Sequence, residues 1–142
     1  MIHTTIEIDR APEVVRKVFL DFSSYHEWHQ DTVKEIKPLS DSLAAGNKVH
    51  CEMLDLTFDA VITPEKENSS TMFQWQGPPV AGISGLHTFS FEPSKVTQGG
   101  TTFVQKEEFS GAMAFLMRLI GWSMPGKFDG FNTDLKKRVE SL

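Results

Sequence analysis

The clearest pattern in the sequence is an apolar stripe near its C-terminus. The stripe consists of Phe128, Phe131, Leu135 and Val139. These residues recur at i, i+3, i+7 and i+11, the spacing of one face of an α-helix, while most charged residues of the segment fall on other faces. We therefore predict the main helix over about residues 125–140. A shorter helix is predicted before it, over about 112–120, with a break ahead of Pro125.

The preceding part of the chain predicts strands. Residues 2–8 alternate apolar and polar positions, with Ile2, Ile6 and Ile8 facing inward. Two short helices are predicted next, over about residues 12–21 and 22–29. Strand-like stretches then follow over residues 32–38, 48–54, 57–63, 71–76, 86–92 and 101–109. Short joins that contain Gly, Asn or Pro favour an antiparallel meander.

Length and charge restrict the class of protein. A chain of 142 residues is most simply one domain, spanning 1–142. A net charge of −5 without an isolated basic patch argues against a nucleic-acid partner. No apolar run of about 18 residues predicts an integral membrane segment, and the start lacks the pattern of a signal peptide. We expect a cytoplasmic protein; the sequence leaves its oligomeric state open.

Aromatic and sulfur-containing residues refine this picture. Eleven Phe and three Trp against one Tyr suit a dense core or the wall of an apolar cavity. The single cysteine, Cys51, excludes an internal disulfide and a cysteine-rich zinc site, and we interpret it as a small buried hydrophobe. His26 and His29 are spaced to share a helix face, but no third ligand follows from spacing. We interpret this helix as exposed, and expect neither a metal nor a cofactor.

Several stretches carry a family resemblance through their order and separation. They are Ile6-Glu7-Ile8-Asp9, Ala11-Pro12-Glu13-Val14-Val15, residues 21–28, Gly85-Leu86-His87-Thr88-Phe89, residues 107–111 and residues 131–140. Together they resemble the START-like, polyketide cyclase/dehydrase and lipid-transport superfamily (SRPBCC) over nearly the whole chain. The resemblance implies an α+β helix-grip fold, in which a seven-stranded curved antiparallel sheet wraps around a long C-terminal helix and two short helices follow the first strand. It also implies a large apolar cavity between sheet and helix. No catalytic residue is shared across the superfamily.

The strongest candidates for chemistry are His87 and Glu107. The hairpin through Gly99 and Gly100 should place His87 near residues 105–109 of the neighbouring strand. A histidine beside a carboxylate in a poorly hydrated wall could act as a general acid and base on a polyketide enol or carbonyl. The alternative is a buried polar pair that satisfies its own hydrogen bonds.

Inward-facing side chains on the strands and the main helix are the predicted cavity wall. They are Phe73, Trp75, Phe89, Phe103, Gln105, Phe128, Phe131 and Leu135. The indole N–H of Trp75 could orient a ligand carbonyl, although plain core packing explains Trp75 equally well. Trp28 and Trp122 are candidates for the cavity mouth or for packing anchors.

Three functions fit these observations. The first is the binding of an apolar or amphipathic small molecule in the cavity. The second is an enzyme of the polyketide cyclase or dehydratase kind that uses the same cavity. The third is a protein-interaction module whose cavity is collapsed. The nearly all-apolar segment over residues 113–124 would then be a docking surface, whereas under the other two it would be buried or form a lid.

Overall fold

The computed structural model describes residues 1–64, 68–116 and 124–142. The strands are β1 (Ile2–Ile8), β2 (Val33–Pro38), β3 (Lys48–Met53), β4 (Leu56–Ile62), β5 (Met72–Gln76), β6 (Ser84–Pro93) and β7 (Thr101–Ser110). The α-helices are α1 (Pro12–Leu20) and α2 (Met124–Glu140), and short 3₁₀ helices span Phe22–Glu27 and Ala114–Leu116. Each predicted strand is therefore present, with ends shifted by a residue or two.

The strands form one curled antiparallel sheet. Their order is β1-β7-β6-β5-β4-β3-β2, so β2 to β7 follow each other as hairpins and β1 closes onto β7. Tight turns depend on glycines in the left-handed region, such as Gly46 at φ +87° and Gly99 at φ +73°. The sheet, α2 and the short helices after β1 together form the helix-grip fold that the sequence predicts.

Helix α2 lies with its apolar stripe toward the sheet. Phe128, Phe131, Leu135 and Val139 are all buried, as their spacing predicts. Within the described part of the shorter helix predicted before it, residues 112–116, the structure has a 3₁₀ turn at Ala114–Leu116. The rest of that prediction, the break before Pro125 and the position of Trp122 lie outside the described residues.

The C-terminal end of α2 is fixed to the start of the chain by Glu140. Its Oε2 accepts hydrogen bonds from the backbone N of Asp9 at 2.9 Å and from Nζ of Lys136 at 2.6 Å. The backbone donor of Asp9, and then Lys136, hold the pKa of the Glu140 carboxyl below its ordinary value. These bonds favour the ionised carboxylate in the folded state.

The space between the sheet and α2 is filled by Phe19 of α1. This side chain is fully buried, and its ring centroid lies 4.5 Å from that of Phe89, 5.3 Å from that of Phe91 and 6.3 Å from that of Phe131. The predicted hollow is therefore packed with aromatic side chains at this level of the sheet. The part of the hollow that stays open lies at one end of the sheet.

Candidate functional site

The remaining hollow is a half-open cavity of about 360 Å³. Its wall is formed mainly by apolar side chains of the sheet and of the loop between β5 and β6, and α2 contributes Phe128. The lining residues are Met53, Leu54, Leu56, Phe58, Trp75, Gly77, Pro78, Val80, Ile83, Gly85, His87, Glu107, Phe109 and Phe128. The ionisable side chains in this wall are His87 and Glu107, which face each other on β6 and β7.

The imidazole of His87 is held in one orientation. It is 2% exposed, its Nε2 lies 2.8 Å from Oε1 of Gln105, and its Nδ1 lies 2.8 Å from Oε2 of Glu107. The ring also stacks on Phe89, with centroids 4.2 Å apart and planes 13° apart. This arrangement confirms the predicted neighbourhood of His87 and Glu107, since the two residues are direct cross-strand partners.

A buried chain of hydrogen bonds connects His87 to α2 and β1. Gln105 donates from Nε2 to Oδ1 of Asn132 at 2.8 Å, and Asn132 donates from Nδ2 to Oγ1 of Thr4 at 2.9 Å. In this arrangement the amide of Gln105 presents its oxygen to His87, which donates from Nε2. Nδ1 is left facing the carboxylate of Glu107.

Asn132 and Thr4 are site residues that our sequence reasoning missed. Both have a signal in the sequence. Asn132 lies at i+4 from Phe128, on the apolar stripe itself, and Thr4 lies between Ile2 and Ile6 on the inward face of β1. A polar residue at a position whose neighbours are buried needs a buried hydrogen-bond partner.

The carboxylate of Glu107 lies in space that is free because Gly85 has no side chain. A Cβ on Gly85 would collide with Oε1 of Glu107. Oε2 of Glu107 is fully buried and lies 2.8 Å from Nδ1 of His87, but it receives no hydrogen bond from any described residue. The cavity wall thus holds a carboxylate that is 15% exposed and whose buried oxygen faces His87.

The structure divides the predicted site residues into two groups. Trp75, His87, Glu107 and Phe128 line the cavity. The others do not line it and belong to the buried core: Phe73, Phe89, Phe103, Gln105, Phe131 and Leu135. The physical reason is Phe19, whose ring fills the space between sheet and helix at the level of the core phenylalanines. Trp28 packs on Tyr25 and Phe131, away from this cavity.

The interpretation of His29 as an exposed helix residue is wrong. His29 is 3% exposed and its Nδ1 lies 2.8 Å from Oδ2 of Asp134. Its Nε2 accepts hydrogen bonds from the backbone N of Thr32 and of Val33, each at 3.1 Å. His29 thus joins the first short helices to α2, and it has no nitrogen left for a metal. His26 is exposed, as expected.

Cys51 is fully buried on β3. Burial, and secondarily the charge of Asp59, raise the pKa of its thiol to about 12. The thiolate needed for nucleophilic chemistry is therefore disfavoured, and Cys51 acts as a small core side chain.

A group that could hold a cation lies elsewhere, on the solvent side of β2 and β3. Ligand atoms of Glu35, His50 and Glu52 lie within 4.8 Å of one another. Nδ1 of His50 is 2.7 Å from Oδ1 of Asp59. These side chains point away from the cavity and share no contact with His87.

None of the described helices is long and apolar enough to cross a membrane.

Comparison with known proteins gives one matching family and several solved structures with a similar fold. The family model described as polyketide cyclase/dehydrase and lipid transport matches residues 1–140. A START superfamily protein from Mycobacterium smegmatis has a TM-score of 0.69 at 15% identity, with 99% of this chain and 97% of that chain covered. A Thermus thermophilus protein has a TM-score of 0.73 at 13% identity, with 99% and 97% covered.

An enzyme is also among the similar structures. Norcoclaurine synthase from Thalictrum flavum, solved with dopamine and hydroxybenzaldehyde, has a TM-score of 0.71 at 10% identity, with 99% of this chain and 86% of that chain covered. At such identities the likeness shows the fold alone. None of the curated proteins matches this sequence.

Proposed function

The chain belongs to the polyketide cyclase/dehydrase and lipid transport family, and we propose that it binds an apolar or amphipathic small molecule in the cavity next to Phe128. The observation that carries this proposal is the cavity itself. A pocket of about 360 Å³ with a mostly apolar wall and one pair of ionisable groups has the size and composition of a small-molecule site.

The energetics favour a ligand with a large apolar part. Each 100 Å² of apolar surface that leaves water contributes about 2.5 kcal/mol. The wall is formed largely by strands and by side chains packed on them, so little reorganisation opposes binding. The exposed side chains of Leu56 and Val80 at the rim leave a path from solvent to the interior.

The test is to block the cavity and measure what is retained. Val80→Trp places an indole at the rim, where the valine is 46% exposed and a larger side chain can be accommodated without unfolding. Val96→Trp is the matched control, because Val96 is 81% exposed in the turn between β6 and β7 and does not line the cavity. Native mass spectrometry of each protein from its host would report a retained ligand, and titration with the neutral dye Nile red would report affinity.

We expect the wild-type protein and Val96→Trp to retain ligand and bind the dye alike. Val80→Trp should bind at least about tenfold more weakly, the equivalent of about 1.4 kcal/mol. Equal binding by all three proteins would show that the ligand sits elsewhere. An absence of any bound ligand and of dye binding in the wild type would contradict the proposed function.

A second candidate is an enzyme of the cyclase or dehydratase kind. The observation that favours it is the His87–Glu107 contact of 2.8 Å, in a wall where Gln105 holds Nε2 of the imidazole at 2.8 Å. Nδ1 and the carboxylate could then move a proton to or from a ligand enol. Turnover of a linear polyketide, lost in His87→Ala and Glu107→Gln, would support this candidate over binding alone. The open cavity gives less support to an interaction module with a collapsed interior.

A further inference from the structure

Glu107 is a hydrogen-bond acceptor that borders the cavity, so it restricts which ligands the cavity can bind. Its Oε2 is fully buried, receives no hydrogen bond from a described residue, and belongs to a side chain that lines the cavity. An ionised carboxylate offers only acceptors, and a buried acceptor without a donor is costly. Oε2 itself has almost no accessible surface, but the side chain is 15% exposed and borders the cavity, so a ligand donor can reach this carboxylate from the cavity side.

The surroundings decide which kind of donor fits. Nδ1 of His87 lies 2.8 Å from Oε2. A ligand cation would lose its hydration shell in a mostly apolar wall, where the carboxylate already has His87 as its neighbour, and this desolvation would not be repaid. A neutral hydroxyl has a much smaller desolvation penalty and can donate one hydrogen bond. Oε1 of Glu107 lies against Gly85, in the space that a Cβ there would occupy.

An ionised acid is disfavoured for the opposite reason. A ligand carboxylate would bring a second negative charge next to Glu107, with no Lys or Arg among the described residues that line the cavity. Like charges at close range in a poorly hydrated site repel strongly.

We propose that the ligand is a neutral, largely apolar molecule whose hydroxyl group, phenolic or alcoholic, donates to the carboxylate of Glu107, and that the site discriminates against ionised carboxylic acids. This inference rests on the proposed function, because it names the chemical class of the ligand in the same cavity. Glu107 is thus the residue that selects the ligand.

Three probes of similar shape test the inference: 2-naphthol, 2-methoxynaphthalene, which lacks the donor, and 2-naphthoate. Calorimetric titration at pH 7.5 gives the affinity of each for the wild-type protein, for Glu107→Gln and for Glu108→Gln. Glu108 is the matched control, since it follows Glu107 on β7 but is exposed and does not line the cavity. Thermal melts of the variants establish that each is folded.

In the wild type we expect 2-naphthol to bind about tenfold or more tightly than 2-methoxynaphthalene, and 2-naphthoate to bind most weakly. Glu107→Gln should reduce the preference for 2-naphthol several-fold and raise the affinity for 2-naphthoate about tenfold, because the neutral amide removes the repulsion and adds a donor. Glu108→Gln should reproduce the wild-type order.

Two results separate failure of the inference from failure of the proposed function. If 2-naphthoate binds as tightly as 2-naphthol in the wild type, or if Glu107→Gln leaves the order unchanged, the inference is overturned while the cavity still binds apolar molecules. If none of the three probes binds the folded wild-type protein, the proposed function fails and the inference fails with it.

Discussion

Replacement of Phe19 by alanine tests the packing that closes most of the space between sheet and helix. Phe19 is fully buried, and seven aromatic rings of the described residues have centroids within 6.4 Å of its own. Removal of a buried phenylalanine ring loses both its transfer free energy and the contacts of the residues around it, about 3 to 5 kcal/mol. The dense surroundings place Phe19→Ala toward the upper end, because few of those rings can move into the space.

The assay is urea unfolding followed by circular dichroism and tryptophan fluorescence. With an m-value of about 2 kcal/mol per M, the midpoint should fall by roughly 1.5 to 2.5 M. Val14→Ala is the matched control on the same helix, since Val14 is 38% exposed. Its free energy of unfolding should change by less than about 0.5 kcal/mol.

The outcome also bears on where the ligand lies. Because Phe19 does not line the cavity, the folded fraction of Phe19→Ala should bind 2-naphthol with nearly wild-type affinity. A loss of stability below about 1 kcal/mol would refute the reasoning, because it would mean that the ring is not tightly packed between sheet and helix.

Two further predictions concern the hydrogen bonds that attach α2 to the rest of the fold. Glu140→Gln should lower the free energy of unfolding near neutral pH. Since the pKa of Glu140 is lowered in the folded state, its contribution is complete above the unfolded pKa of about 4.3 and is lost as the pH falls through the folded value. Urea titrations from pH 7 to pH 3 should therefore show the two proteins converging in acid, and a constant gap would contradict this. His29→Ala should lose about 3 kcal/mol, since it leaves the backbone N–H groups of Thr32 and Val33 without an acceptor. The exposed His26→Ala is its control, and an equal effect of both would remove the structural role of His29.

The architecture could be predicted largely from the sequence. Periodicity reports which face of an element is buried, and the stripe from Phe128 to Val139 and the alternation in β1 are local patterns of this kind. The closeness of His87 to residues 105–109 also followed from the sequence, because a hairpin ties the register of its two strands to the turn, and the structure pairs His87 with Glu107 within that range.

The exact lining of the cavity could not be predicted in this way. An inward-facing side chain can pack in a core or border a hollow, and its own periodicity is the same in both cases. Phe89 and Trp75 both face inward, but of the two Trp75 alone borders the cavity. The ring of Phe19, on α1, packs against Phe89 and separates it from the cavity. His29 is a similar case, since its burial depends on Asp134, 105 positions later in the chain.

The sequence by itself determined the order of strands and helices along the chain, the inward face of several of them and the closeness of His87 to residues 105–109. Those features depend on spacing along the chain. Only the tertiary structure decided that aromatic rings fill the middle of the space between the sheet and α2, and that an apolar hollow remains at one end. It also decided that Thr4 and Asn132 orient His87 through Gln105. These features depend on which side chains from distant segments meet, and close packing leaves room for only one such arrangement.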